Sequence, residues 1–222
     1  MPRITAITAH PRKPGRYSVA VDGKVLTLVD GETTALVDAA LLHTHRAKQG
    51  AELSDGSRDA LIEGALTLQA MDRAVGMLGR RAYARRELER ALSQKGTPRP
   101  QIDAVVTRLV ESGLVDDRAF AENFARARLA GRGQSRRRVS AELSKRGVSR
   151  ADADAALARI VEDEGIDELA QARKAGEKKS RALAKLEPDV ARRRLTGYLV
   201  RQGFGGEVVR KVTAELLGRG AW

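Results

Sequence analysis

The sequence predicts a mainly α-helical protein: three tandem three-helix repeats forming an elongated, curved body, preceded by a small N-terminal antiparallel sheet plus a helix. Three observations support this fold class. Aromatic residues make up only 3% of the 222 residues, so the core depends on Ala, Leu and Val, and Ala and Leu are strong helix formers. From Ser57 onward no run alternates with period two. A spacing pattern typical of paired amphipathic helices instead occurs there three times.

The first 30 residues predict a three-stranded antiparallel sheet. A Thr- and Ile-rich run comes first, apolar residues then alternate over Tyr17–Val21, and Asp22-Gly23 separates this run from Lys24–Val29. Asp-Gly between two β-rich runs favours a hairpin with a type I′ turn, because both central residues of that turn need positive φ.

Beyond the sheet, Glu32–His43 predicts a helix, since its apolar residues lie on one helical face. The following polar stretch, Lys48–Gly56, predicts a loop. We therefore treat residues 1–50 as an N-terminal extension made of a β-hairpin and a helix.

The main body contains an internal repeat in which three segments align without gaps. In each segment two apolar residues four apart are followed, four residues later, by Gly96, Gly147 or Gly203. Further apolar residues lie six, nine, thirteen and fourteen positions after the glycine. The first pair marks one face of a helix, the glycine marks its left-handed C-cap, and the later set marks a second amphipathic helix.

An additional helix precedes each pair, so that each repeat contains three helices. Asp116 is the expected N-cap of the middle one, with Val115 and Phe120 as a hydrophobic staple. The additional helices are predicted at Leu66–Gly79, Asp117–Ala130 and Ile166–Leu186. The three repeats are predicted at residues 57–115, 116–163 and 164–222.

The charge of the chain is large and unevenly distributed. The formal net charge is +12 and the sequence pI is about 10.5. Residues 80–146 carry +9 and residues 192–222 carry +5, whereas residues 1–79 carry 0 and residues 147–191 carry −2. Such blocks favour a polyanionic partner such as DNA, RNA or a lipid surface.

Several classes of protein are disfavoured by what the sequence lacks. It has no cysteine, which excludes disulfides, zinc–thiolate sites and cysteine nucleophiles. Its first residues have no apolar core like that of a signal peptide, and its best apolar stretch, Ala35–Leu42, is far shorter than a membrane span. We expect a cytoplasmic protein without membrane association.

The segment that joins the first and second repeats is the most distinctive part of the chain. It reads Gly113-Leu-Val-Asp-Asp117, then Phe120-Ala, a loop with Gly131 and Gly133, and an Arg-x-x-x-x-Glu-Leu run that ends at Arg146-Gly147. This pattern resembles the RecX family, regulators of the RecA recombinase, and Arg81–Leu88 is similar to that family's first unit. The resemblance covers residues 57–217. Residues 1–50 are longer than the family pattern implies, and the opening helix of the third unit diverges from it.

The resemblance implies a fold of three three-helix repeats, in agreement with the repeat found from spacing. It also implies a protein that binds the RecA filament on single-stranded DNA and inhibits the recombinase in DNA repair and the SOS response. We expect it to be a monomer. Some direct binding to single-stranded DNA is expected, with double-stranded DNA as a second candidate.

The candidate nucleic-acid or partner-binding residues are the clustered basic side chains. The arginine triplet Arg136–Arg138 follows the glycine loop at a helix start, where phosphates or acidic side chains are readily bound. For the cluster around Arg85, pairing with glutamates along the same helix is an equally good explanation. The full set is Arg81, Arg85, Arg86, Arg126, Arg128, Arg132, Arg136, Arg137, Arg138, Lys145, Arg146, Arg193, Arg194 and Arg201.

No catalytic residue, metal site or cofactor is expected. Helix capping accounts for Asp116, and His43 and His45 face apart on a helix. The alternative function is a dimeric DNA-binding transcriptional or nucleoid-associated regulator built from helix-turn-helix-like units. That function needs base-reading side chains on one exposed helix, whereas Arg, Lys and Glu predominate here.

Overall fold

The computed structural model describes residues 2–28 and 30–218, and within them the chain is mainly α-helical with a small antiparallel sheet at its N-terminal end. The strands are β1 (Ile4–Ala9), β2 (Tyr17–Val21), β3 (Lys24–Val25) and β4 (Leu36–Val37). The first five helices are α1 (Ala39–Thr44), α2 (Asp55–Leu78), α3 (Arg85–Gln94), α4 (Arg99–Glu111) and α5 (Asp117–Leu129). The remainder are α6 (Arg136–Arg146), α7 (Arg150–Asp163), α8 (Glu168–Leu183), α9 (Pro188–Arg201) and α10 (Gly206–Leu217).

The sheet is organised around the predicted hairpin. Strands β2 and β3 pair antiparallel across Asp22 and Gly23, whose φ angles of 48° and 79° are those of a type I′ turn. Strand β1 pairs antiparallel with β2, and β4 also pairs antiparallel with β2. The hairpin prediction is confirmed, and the sheet has a fourth strand that the sequence did not indicate.

The predicted helix at Glu32–His43 is wrong over its first half. Leu36 and Val37 form β4, and α1 begins only after Asp38, whose side chain accepts a hydrogen bond of 2.9 Å from the backbone N–H of Leu41. Ala35 and Val37 are both buried, and so short an apolar run fits a strand as well as a helix. Leu36 and Val37 form a strand because they pair with β2.

The chain divides into two compact units, of which the first comprises the residues up to Ala82 together with Leu88–Leu114. Its sheet buries Ile4, Val19 and Val37 in one core with Leu61 of α2. Helix α2 also packs on α4, so it serves both the sheet and the first repeat. This double role explains why α2 begins at Asp55, well before the predicted start.

The second unit comprises Tyr83–Glu87 and the residues from Val115 onward. It contains one core formed mainly by α5, α6 and α7, and another formed by α8, α9 and α10. Helix α5 packs closely on α7, and α10 packs on both α8 and α9. The observed starts and ends of α5 and α8 lie within three residues of the predicted ones.

The glycine-ended helices repeat in detail. Gly96, Gly147 and Gly203 have φ angles of 76°, 95° and 88°. After each glycine, a backbone N–H donates a hydrogen bond of 3.2 Å to the carbonyl group of the buried leucine four residues before the glycine. The donors and acceptors are Thr97 and Leu92, Val148 and Leu143, and Phe204 and Leu199. This is the Schellman arrangement that a left-handed C-cap predicts.

The predicted N-cap of α5 is also present. The Asp116 carboxylate accepts hydrogen bonds of 2.8 and 3.1 Å from the backbone N–H groups of Arg118 and Ala119. Replacing Asp116 with alanine is expected to lower the free energy of unfolding by about 1 kcal/mol, because two N–H groups lose their acceptor. Thermal melts would measure this, with the exposed Asp154→Ala as the control. Equal melting of the two variants would contradict the capping role.

Candidate nucleic-acid interface

The arginine triplet at the start of α6 is divided between two environments. Arg138 is half-buried and its Nη1 donates a hydrogen bond of 2.7 Å to Oε1 of Gln202, at the end of α9. Its Nε donates to Oε1 of Glu142 at 3.2 Å. Ser135 caps α6 through its Oγ, which also donates a hydrogen bond of 2.7 Å to the carbonyl oxygen of Gln202. Arg138 therefore belongs to a contact between α6 and α9.

An equivalent contact occurs at the other end of α6. Arg146 Nη1 donates a hydrogen bond of 2.6 Å to Oε1 of Glu87, in the first turn of α3. When the repeats are aligned on their glycines, Arg146 occupies the position of Gln202, and Glu87 occupies that of Arg138. The same two positions thus form a polar pair twice, with the arginine at the helix end in the pair with Glu87 and at the helix start in the pair with Gln202.

An aromatic ring and acidic side chains hold other arginines of the second repeat. The guanidinium carbons of Arg128 and Arg146 lie 4.9 and 5.1 Å from the ring centroid of Phe124, a distance typical of cation–π contacts. Arg128 Nε also lies 3.7 Å from Oε2 of Glu142. These arginines help to fix the surface of α5 and α6.

Arg126 is likewise paired, although it is more exposed than Arg128. Its Nε lies 3.1 Å from Oε1 of Glu164, and its Nη2 lies 4.0 Å from Oδ2 of Asp163. Both acids lie at the end of α7, so α7 neutralises this cation. Arg126 is less available for an external anion than its sequence neighbourhood indicates.

Three predicted cations of the second repeat remain open to solvent. Arg132 lies in the turn between α5 and α6, and Arg136 and Arg137 lie in the first turn of α6. All three side chains are exposed, and none has an ion pair within residues 2–28 and 30–218. These three cations lie within six consecutive residues at the start of α6, and we call them the α6 cation group.

The remaining predicted residues lie outside this group. Arg81 donates a hydrogen bond of 3.0 Å to the carbonyl oxygen of Ala82. Exposed positions on α3, α6 and α9 hold the others, namely Arg85, Arg86, Lys145, Arg193, Arg194 and Arg201.

Two contacts between helices had no signal in the sequence. The Asp117 carboxylate accepts a hydrogen bond of 2.6 Å from the backbone N–H of Arg85, so it holds the start of α3. Gln202 forms the α6–α9 contact described above. Neither has a local signal, because each partner lies more than 30 residues away in sequence.

The described part of the chain has no cluster of three or more histidine, aspartate or glutamate side chains able to hold a metal ion. Within these same residues, no helix has the length and apolar character needed to cross a bilayer.

Comparisons with known proteins agree on one family. Models of the RecX three-helix domains match the chain in order: the first at residues 70–109, the second at 116–157 and the third at 166–213. The regulatory protein RecX of Halorhodospira halophila is 36% identical over 151 residues, which are 68% of this chain and 90% of that protein. The regulatory protein RecX of Mycolicibacterium vanbaalenii is 39% identical over 155 residues, which are 67% and 83% of the two chains.

Solved structures share the fold at low sequence identity. A crystal structure of a regulatory protein RecX matches with a TM-score of 0.73 at 20% identity, over 96% of this chain and 98% of that one. RecX from Lactobacillus salivarius matches with a TM-score of 0.56 at 18% identity, over 68% of this chain and 96% of that one. The first match covers enough of this chain to include most of residues 1–50. RecX proteins are regulatory proteins rather than enzymes, and the chain belongs to the RecX family.

Proposed function

We propose that this protein binds the RecA filament formed on single-stranded DNA and inhibits the recombinase in DNA repair and the SOS response. The observation that carries the proposal is the α6 cation group, since Arg132, Arg136 and Arg137 are exposed cations without an acidic partner in the described structure. They lie in the segment that resembles the RecX family most specifically. The choice of RecA as the target rests on that family resemblance.

The chemistry of the α6 cation group suits phosphate or carboxylate oxygens. Arginine presents several N–H donors in a planar fork, and the N-terminal end of a helix favours an anion. Such contacts position a nucleic-acid strand without reading its sequence. Binding to single-stranded DNA, and more weakly to a duplex, would therefore depend on salt rather than on base composition.

The other predicted residues have different roles in this proposal. Four arginines form contacts with other residues of the chain and so fix the shape of the surface, namely Arg126, Arg128, Arg138 and Arg146. The remaining exposed cations of the predicted set are further candidates for contact with an anion, namely Arg81 of the first unit and Arg85, Arg86, Lys145, Arg193, Arg194 and Arg201 of the second. We further propose that the protein acts as a cytoplasmic monomer.

Replacing Arg132, Arg136 and Arg137 together with alanine is expected to weaken both single-stranded DNA binding and inhibition of RecA-driven strand exchange. Each lost phosphate contact should reduce the slope of log affinity against log salt by about 0.7, so that three lost contacts reduce it by about 2. Helicity should not fall, because alanine is at least as good a helix former as arginine. Fluorescence anisotropy and a strand-exchange assay would measure the two effects.

The matched control removes three exposed cations from the first unit: Lys24, Lys48 and Arg58, each replaced by alanine. This control lowers the net charge of the protein by the same three units as the α6 variant. A larger loss of DNA binding in the α6 variant would therefore reflect the position of the removed cations and not the change in net charge. Unchanged DNA binding and unchanged inhibition in the α6 variant would refute the role of this group. A wild-type protein that leaves RecA unaffected, yet binds one duplex sequence as a dimer, would refute the proposed function and support a transcriptional regulator.

A further inference from the structure

Helix α8 carries a row of cations that the sequence analysis did not assign to any site. Lys174, Lys178 and Arg181 are exposed, and Lys185 is exposed in the turn directly after the helix. At about 100° per residue, the three helical positions lie within an arc of roughly 60°. They span about 10 Å along the axis at about 1.5 Å per residue. We call these four residues the α8 row.

The α8 row points away from the core of the third repeat. Ala172, Gly176 and Leu183 are the buried residues of α8. Gly176 lies so close to α10 that an added Cβ would be 3.1 Å from Cγ1 of Val212. By helical geometry the row lies on the opposite side of α8 from these residues. The packing of the third repeat therefore does not require the four cations.

The other two cations of α8 are used inside the third repeat. Arg173 donates hydrogen bonds of 2.9 and 3.2 Å to the two carboxylate oxygens of Glu215 on α10. These bonds hold the pKa of the Glu215 carboxyl below its ordinary value. The Lys179 ammonium lies 5.7 Å from the ring centroid of Tyr198 on α9. Within the described part of the chain, by contrast, no ion pair involves a residue of the α8 row.

The row contains like-charged neighbours. Lys174 and Lys178 are four residues apart and Lys178 and Arg181 are three apart, and such pairs repel each other, whereas Glu177, four residues before Arg181, offsets part of this repulsion. Only Arg181, in the last turn, gains from the helix dipole. An external anion along this face would relieve the repulsion.

The chemistry of the face favours a phosphate backbone over a protein. The residues beside it on the helix are Ala170, Gln171, Ala182 and one acid, Glu177, and no aromatic or large apolar side chain separates the cations. The centre of a protein–protein interface is usually depleted of charge and enriched in aromatic side chains. A phosphodiester backbone, in contrast, needs only cations at regular intervals.

We propose that the α8 row is a second, sequence-independent contact surface for the phosphodiester backbone of a nucleic-acid strand, located in the third repeat. This inference rests on the proposed function for the biological role of the strand, but it concerns direct binding by the protein alone. The row supplies up to four phosphate contacts in addition to those of the α6 cation group.

The test is direct DNA binding by the full chain without RecA. In the row variant Lys174, Lys178, Arg181 and Lys185 are replaced by glutamine, which keeps helix propensity similar. The slope of log affinity against log salt for single-stranded DNA is expected to fall by about 3, at about 0.7 for each lost contact. A duplex of the same sequence, measured in parallel, shows whether the row prefers single strands.

Two further variants make the result specific. In the matched control, Arg12, Lys24, Lys48 and Arg58 of the first unit are replaced by glutamine, and affinity and slope should stay close to those of wild type. In the conservative variant, the three lysines of the row are replaced by arginine, and binding should be retained because the charge remains. Circular dichroism and thermal melts would verify that each variant is folded.

The possible outcomes separate this inference from the proposed function. A row variant that binds DNA with the affinity and slope of wild type, or that loses no more than the control, overturns the inference. Unchanged DNA binding with a lost pull-down of DNA-free RecA would also overturn it and identify the row as a protein-binding face. If the row variant loses DNA binding while wild type fails to inhibit RecA, the inference stands and the proposed function fails.

Discussion

Replacing Leu143 with alanine is expected to lower the free energy of unfolding of the second unit by about 2–5 kcal/mol, the range observed when a buried leucine is truncated in a well-packed core. Leu143 is fully buried on α6, in one cluster with Val139, Phe120 and Ile160. The loss combines the transfer free energy of the removed methyl groups with the cost of the cavity left behind. Urea or thermal denaturation followed by circular dichroism would measure it.

The control for this prediction is the same substitution at an exposed leucine. Leu114 has 63% of its surface exposed, so Leu114→Ala should change the free energy of unfolding by no more than about 0.5 kcal/mol. If Leu143→Ala melted like the Leu114 variant, Leu143 would not occupy the core, and the predicted facing of α6 would be wrong. The repeat alignment would then lose its physical basis.

The three repeats were predictable because their signals are local and redundant. Two apolar residues four apart, a glycine, and a second apolar set describe one helix, its end and the next helix, and each signal depends on backbone geometry within one or two turns. The N-terminal region lacked this redundancy. The apolar spacing over Glu32–His43 fits a helix, whereas Ala35 and Val37 are buried alternately as in a strand, and the deciding contact is the pairing of Leu36 with Ser18 across the sheet.

The candidate site was predicted less completely, because charge clustering says nothing about internal partners. Arg138 and Gln202 are 64 positions apart in sequence, and Arg146 and Glu87 are 59 positions apart. The sequence placed Arg138 and Arg146 among the binding residues, yet both form contacts between helices.

The α8 row was missed for a different reason, since charge was summed over long segments. Residues 147–191 have a net charge of −2, because the acids of α7 and of the following turn offset the cations of α8. The local signal of the row is the spacing of Lys174, Lys178 and Arg181, which places all three on one face of the helix.

The repeated contact between glycine-ended helices and helix starts leads to the second large effect. At Gly203 an added Cβ would overlap with Oγ of Ser135 and would lie 3.1 Å from both Cβ and the backbone nitrogen of Arg138. The φ angle of 88° is also costly for any residue with a side chain. The substitution therefore combines backbone strain with a clash at the N-cap of α6.

Gly165 provides a control that contains only the first of these effects. It ends α7 in the same unit with a φ angle of 57°, and an added Cβ there would meet no atom within 4 Å. Backbone strain alone should cost about 1–2 kcal/mol. The difference between the two glycine variants thus isolates the contact between α6 and α9.

Gly203→Ala is accordingly expected to lower the free energy of unfolding by about 2–4 kcal/mol, against about 1–2 kcal/mol for Gly165→Ala. The excess arises because Ser135 must move, which breaks its hydrogen bond of 2.7 Å to the carbonyl oxygen of Gln202. Denaturant melts of both variants would measure the difference, and amide hydrogen exchange at the start of α6 should accelerate only in the Gly203 variant. Equal destabilisation with unchanged exchange would mean that α9 does not hold the N-terminal turn of α6, and that the polar pair of Arg138 and Gln202 is not a structural contact.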